Sequence, residues 1–122
     1  MRFPSLGTKT KRSVTIKDVI EQMSERYSVD DQDLVRRAHL FSARAHHGQL
    51  RKSGEPYVVH PLAVAMILAE QRLDATSIAV GLLHDVLEDT QADSERVQEE
   101  FGEEVLSLVE GVTQISKISF TT

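Results

Sequence analysis

Residues 79–90 read AVGLLHDVLEDT, and the arrangement of polar and apolar positions within this stretch decides the fold class. His84, Asp85, Glu88 and Asp89 are polar, while Gly81, Leu82, Leu83, Val86 and Leu87 are apolar or small. At about 100° per residue, His84 and Glu88 lie one helical turn apart, as do Asp85 and Asp89, and all four fall within an arc of roughly 140°. The spacing predicts a helix from near Asp74 through Ile78, Leu82 and Leu83 to about Glu88, with Asp89 and Thr90 leading into a turn. A solvated helix face is the plainer source of three acids near a helix end. The apolar flanks weigh against it, because carboxylates on so apolar a helix are costly without a cation or hydrogen-bonding partners. A divalent metal removes that cost. His84 and Asp85 can share one ion if a third ligand comes from another element, and His60 is the best candidate.

Working outward, the rest of the chain reads as further helices. Ile16, Val19, Ile20, Met23 and Tyr27 recur at spacings of three and four, with Thr15 and Asp18 forming a capping box. Asp30 or Asp31 opens a second helix whose stripe is Leu34, Ala38, Phe41 and Ala45, and Gly48 supplies its stop. Gly48 to Pro56 (GQLRKSGEP) has loop chemistry. Tyr57 to Val59 is expected to be extended or loop. Pro61 suits the first position of a third helix, which Leu62, Ala65, Met66 and Ala69 carry to about Arg72. Asp93 and Ser94 start a fifth helix closed by Gly102. Val105, Leu106, Leu108, Val109 and Val112 describe a sixth. The fold class is all-α, without internal repeats.

Composition narrows the chemistry. The 122 residues suffice for one core and not two. With no cysteine, metal ligands must be His, Asp or Glu. A formal charge of −5 argues against nucleic-acid binding through the overall field, so an anionic ligand needs a local basic cluster. Residues 1–13 are read as a flexible, solvated arm rather than a signal peptide. No run approaches the length of a membrane span, and a cytoplasmic protein is expected. The basic cluster is Arg51, Lys52 and Ser53, in the glycine-bounded loop before His60. A planar guanidinium, an ammonium and a hydroxyl there suit a nucleotide phosphate or base. His39, His46 and His47 lie on or at the end of the second helix, and their spacing makes none of them a ligand. His46 or His47 could still face the site from behind the ligands.

The run AHHGQLRKSGEPYVVHPLAVAMIL, then AVGLLHDVLEDT and EEFGEEVLSLVEGVTQISK, resembles the amino-terminal hydrolase domain of the RelA/SpoT alarmone synthetase/hydrolases, a branch of the HD superfamily. The similarity spans about Leu34 to Lys117, and the long RKSGEPY-x-x-HP motif is far more specific than an HD dipeptide. The resemblance implies an all-α HD-domain helical bundle over residues 14–122 that removes the 3'-pyrophosphate from guanosine tetra- or pentaphosphate, with Mn²⁺ as cofactor. It implies His60, His84 and Asp85 as manganese ligands and Glu88 and Asp89 as the acidic pair that positions or activates the attacking water. Arg51 would stack on guanine, and Lys52 and Ser53 would hold the nucleotide. In the family a further aspartate ligand follows the GVTQISK segment, whereas this sequence ends at Thr122. The domain is therefore expected to be partial, truncated on its carboxy-terminal side, with uncovered apolar surface able to drive self-association. Hydrolysis of another nucleotide, or an inactive nucleotide-binding or interaction module, stays open.

Overall fold

In the computed structural model, residues 14–49, 54, 59–89, 92 and 94–121 are described, and every regular element among them is helical. In chain order these are α1 (Ile16–Met23), α2 (Val29–Ala45), α3 (Val59–Glu70), α4 (Ala75–Leu83), α5 (Val86–Asp89), α6 (Ser94–Phe101) and α7 (Glu103–Thr121), with a 3-10 turn at Ser24–Arg26. The expected arm at 1–13 and residues 50–53, 55–58, 90, 91, 93 and 122 lie outside the described residues. No helix among the described residues is long and apolar enough to cross a membrane.

The bundle is organised around α4. Ala75, Ile78, Ala79, Val80, Gly81, Leu82 and Leu83 are all buried, so this helix is apolar on nearly every side. α2 and α3 pack against it, α7 reaches it from a further side, and α1 closes over α3. The core joins Val19 and Met23 of α1, Val35 and Ala38 of α2, Leu62, Ala65 and Ala69 of α3, and Val105 and Val109 of α7. Gly81 is small for a reason. A Cβ there would sit 2.7 Å from Leu68 Cδ1 and 3.4 Å from Val64 Cγ1, so its missing side chain lets α3 approach α4 closely.

The capping chemistry explains several boundaries and corrects others. Thr15 and Asp18 form the expected box, with Asp18 N–H donating to Thr15 Oγ1 and Thr15 N–H to Asp18 Oδ2. α1 stops at Met23, however, and Tyr27 is extended rather than helical. α2 opens at Val29 with Ser28 as its cap, not at Asp30 or Asp31. Ser28 Oγ accepts from Asp31 N–H at 3.0 Å, leaving Asp30 and Asp31 in the first turn, where their charge meets the helix dipole favourably. Gly48, at φ +82°, follows the end of α2 as anticipated. α3 starts two residues before Pro61, so Val59 is helical instead of extended. The first turn has no intrahelical acceptors for its N–H groups, and Pro61 therefore breaks no hydrogen bond. The same helix ends at Glu70, and Arg72 takes φ +63° in the turn beyond.

Two contacts pin the α3–α4 connection and carry measurable stability. Tyr27 O–H donates to the Leu73 carbonyl at 2.6 Å, tying the end of the α1 segment to this turn. Tyr27→Phe is expected to lower unfolding free energy by about 1 kcal/mol in urea denaturation, the usual net worth of one hydrogen bond. Asp74 caps α4, accepting from Ser77 N–H at 2.9 Å. Ser77's hydrogen bonds hold the Asp74 carboxyl below its ordinary value of 3.8. A lowered carboxylate stabilises the fold fully above that value and ceases to do so as pH falls through its folded pKa. Asp74→Ala is expected to cost about 1 kcal/mol at pH 7 and progressively less below pH 4, as chemical denaturation at several pH values would show.

Candidate metal centre

α4 does not run unbroken to Glu88. Its regular ladder stops at Leu83, His84 and Asp85 form a turn, and the helix resumes as the single turn α5. His84 keeps right-handed angles, φ −61° and ψ −27°, but its ring intervenes in the hydrogen bonding. His84 Nδ1–H donates to the Gly81 carbonyl at 2.6 Å. In an unbroken helix that carbonyl would accept from the N–H four residues on, at Asp85. The imidazole competes for it, which explains the break. The single helix carrying four polar residues on one arc is thus corrected to two helical pieces with His84 and Asp85 at their junction.

The same hydrogen bond fixes the chemistry of the ring. A carbonyl only accepts, so Nδ1 carries the proton and Nε2 is left to act toward the site. Nε2 of His84 lies 3.2 Å from Asp85 Oδ2, and Nε2 of His60, on the first turn of α3, lies 4.0 Å from the same oxygen. The two imidazole rings meet edge to face with centroids 5.3 Å apart. One ligand atom from each of His60, His84 and Asp85 lies within 4.8 Å of the others. Electron-rich nitrogen and carboxylate oxygen at such separations call for a positive centre between them: a proton on His84, or a cation bonded to both.

The donor set fits a divalent metal. Adjacent ligands of an octahedral first-row ion are about 3 Å apart and opposite ones rather more than 4 Å, the range spanned here. Two imidazoles and a carboxylate suit such an ion, and a backbone carbonyl behind a ligating imidazole is the usual support for its tautomer and orientation. Side-chain exposures of 34% for His60 and 19% for both His84 and Asp85 leave the cluster open on one side. Burial pushes the Asp85 carboxyl up, but the hydrogen bond and charge of His84, with the charges of His60 and His46, outweigh it. The net direction is down, so Asp85 is held as the carboxylate a cation requires.

Of the residues singled out in the sequence, the fold brings His60, His84 and Asp85 together. His60 sits inside α3 rather than before it. Glu88 and Asp89 are on α5, within a turn of the cluster along the chain, and their side chains lie outside the described residues. Arg51, Lys52 and Ser53 also lie outside them. One participant escaped the sequence reading, and His46 is the one of the two flanking histidines that faces the site. Gly81 supplies the carbonyl that orients His84; its signal was a position three residues before a helical histidine. His46, 3% exposed at the end of α2, bonds through Nδ1 to Gln49 Oε1 at 3.0 Å and contributes to the field at Asp85, whereas His47 is exposed.

Comparison with known proteins agrees with this geometry. The model of a family described as HD domain matches residues 38–122, a span that includes His60, His84 and Asp85. The chain belongs to the HD-domain family. Within it, the chain falls in the RelA/SpoT branch. It is 55% identical over 97 residues to a GTP pyrophosphokinase of Myxococcus xanthus, covering 80% of this chain and 13% of that protein. It is 46% identical over 102 residues to the bifunctional (p)ppGpp synthase/hydrolase SpoT of Escherichia coli strain K12, covering 83% of this chain and 14% of that protein. A solved structure of a metazoan ortholog of SpoT that hydrolyzes ppGpp superposes with a TM-score of 0.61 at 36% identity, covering 66% of this chain and 47% of the other. This HD domain thus spans about one seventh of the length of the two bacterial relatives. HD hydrolases are metal-dependent, which fits the His/Asp cluster.

Proposed function

We propose that this HD domain hydrolyses the 3'-pyrophosphate of ppGpp and pppGpp, giving GDP or GTP and pyrophosphate, with Mn²⁺ held by His60, His84 and Asp85. The observation that carries the proposal is the convergence of those three ligands in a chain that resembles SpoT-type enzymes over four-fifths of its length. A bound Mn²⁺ supplies a water of lowered pKa and neutralises charge on the pyrophosphate. The rest of the chemistry belongs to the chain. The Gly81 carbonyl fixes the His84 tautomer, and Asp85 stays ionised between the imidazoles. Glu88 and Asp89, on the turn after the ligands, are assigned to orient the attacking water and accept its proton. Arg51 is assigned to stack on the guanine, with Lys52 and Ser53 holding the nucleotide. The scissile bond is a phosphoester, so no protein nucleophile is required. In this reading the chain is the hydrolase portion of a bifunctional enzyme acting on a nucleotide of the cytoplasm.

Incubation of the full gene product with ppGpp and Mn²⁺ should release pyrophosphate and GDP in equal amounts. Faster turnover of another nucleotide in a parallel assay would move the substrate away from ppGpp, and no release from folded, metal-loaded protein would overturn the hydrolase reading. Glu88→Gln should leave metal binding intact and reduce kcat by about 10²-fold or more, within the range for removing a general acid–base group. Side-by-side Mn²⁺ titration and turnover check it.

A further inference from the structure

Behind the metal centre, α2 ends in a turn that is bonded twice across the same two residues. His46 N–H closes the helix on the Ser42 carbonyl at 2.9 Å, and Gln49 N–H then donates to the His46 carbonyl, also at 2.9 Å. The side chains repeat that link, with His46 Nδ1–H donating to Gln49 Oε1 at 3.0 Å. An amide oxygen only accepts, so Nδ1 carries the proton. We infer that His46 and Gln49 form a clamp that fixes where the chain sets out toward Arg51, which makes His46 a positioning residue for nucleotide binding. The inference rests on the proposed nucleotide reaction and adds to it a residue outside the metal cluster of His60, His84 and Asp85.

The turn is built for this shape. Gly48, between the clamped residues, takes φ +82°, and a Cβ there would meet nothing within 4 Å. The glycine therefore serves the left-handed backbone angle and not a close approach. The clamp is also anchored. His46 is 3% exposed, whereas His47 beside it is exposed. Val35, Ala38, Ser42 and His46 recur at spacings of three and four, so His46 continues the buried face of α2, the helix that packs against α4. Asp85 lies just beyond α4, and the charge of His46 acts on its carboxyl. The end of α2 is thus held beside a metal ligand. Two residues of chain span at most about 7 Å, so a clamp on Gln49 limits the distance from it to Arg51.

Steady-state turnover of ppGpp by the full gene product, with Mn²⁺ affinity read by isothermal titration, tests the clamp. His46→Leu and Gln49→Met each remove the side-chain bond, and each should raise KM about five- to tenfold while kcat and Mn²⁺ affinity stay within about threefold of the parent. The double variant should be no worse than either single one, since both lose the same bond. His46→Asn keeps an N–H near the place of Nδ1 and should recover most of the parent KM. In the metal-free 122-residue chain, the Gln49 amide should exchange faster in His46→Leu than in the parent. Gln49 is only half-buried, so Gln49→Met carries the test should His46→Leu fail to fold. An unchanged KM in Gln49→Met, additive effects in the double variant, no recovery in His46→Asn, or a loss of Mn²⁺ affinity as large as the change in KM would overturn the clamp and leave the hydrolase reading standing. A parent protein that does not hydrolyse ppGpp would overturn both.

Discussion

Asp85→Ala is expected to lower Mn²⁺ affinity by at least 10²-fold and to abolish pyrophosphate release, while leaving the helical content unchanged. The size follows from the geometry. Asp85 is the one carboxylate of the described cluster, and its Oδ2 faces both imidazole nitrogens, at 3.2 and 4.0 Å. Loss of a group that merely supports a metal ligand already costs 10–100-fold, so loss of the ligand itself exceeds that. Without the carboxylate the two histidines are left as neutral donors with no charge to offset a dication. Asp85→Asn keeps the shape and removes the charge. It should bind metal almost as poorly, which separates an electrostatic role from a packing one. Isothermal titration with Mn²⁺, alongside circular dichroism of each variant, reads the two quantities; full metal affinity in Asp85→Asn would exclude the carboxylate as a ligand.

Leu82→Ala should be the most damaging of the simple core truncations for the fold, at about 2–5 kcal/mol. Leu82 is fully buried on α4, the helix against which α2, α3 and α7 all pack. A neighbour cannot easily collapse into the gap, because α4 is enclosed on nearly every side and Gly81 already brings α3 as near as contact permits. Against the roughly 5–15 kcal/mol of a typical domain, this is a large fraction of the stability. A thermal midpoint lower by roughly 10 °C is expected by calorimetry. A shift of only one or two degrees would mean that α4 is not the centre of the core. Truncating Ile67, 56% exposed on α3, is the matched control and should change the midpoint little.

The positions of these two residues show what a sequence can and cannot convey. Periodicity found the helices because α1 and α2 carry apolar residues at spacings that only a helix turns to one side. The motifs pointed to His60 and the His84–Asp85 pair, and the fold brings these three side chains together. Periodicity missed the break at His84, because a 100° wheel registers direction and not the competition between an imidazole and an N–H for the Gly81 carbonyl. The start of α2 was misplaced by two residues because Ser28, Asp30 and Asp31 can all cap a helix, and Ser28 wins through its bond to the Asp31 N–H. The start of α3 was misplaced because Tyr57, Val58 and Val59 have β-branched and aromatic character, and Pro61 is accepted anywhere in the first turn.

The metal centre is tested most directly by adding Mn²⁺ to the ¹⁵N-labelled chain and mapping paramagnetic broadening. Signals of His60, Gly81, His84 and Asp85 should broaden first and saturate at one ion per chain, and neither effect should occur at the same Mn²⁺ concentrations in Asp85→Ala. Broadening centred on other residues, or an unchanged pattern in that variant, would show that these three side chains do not form the site.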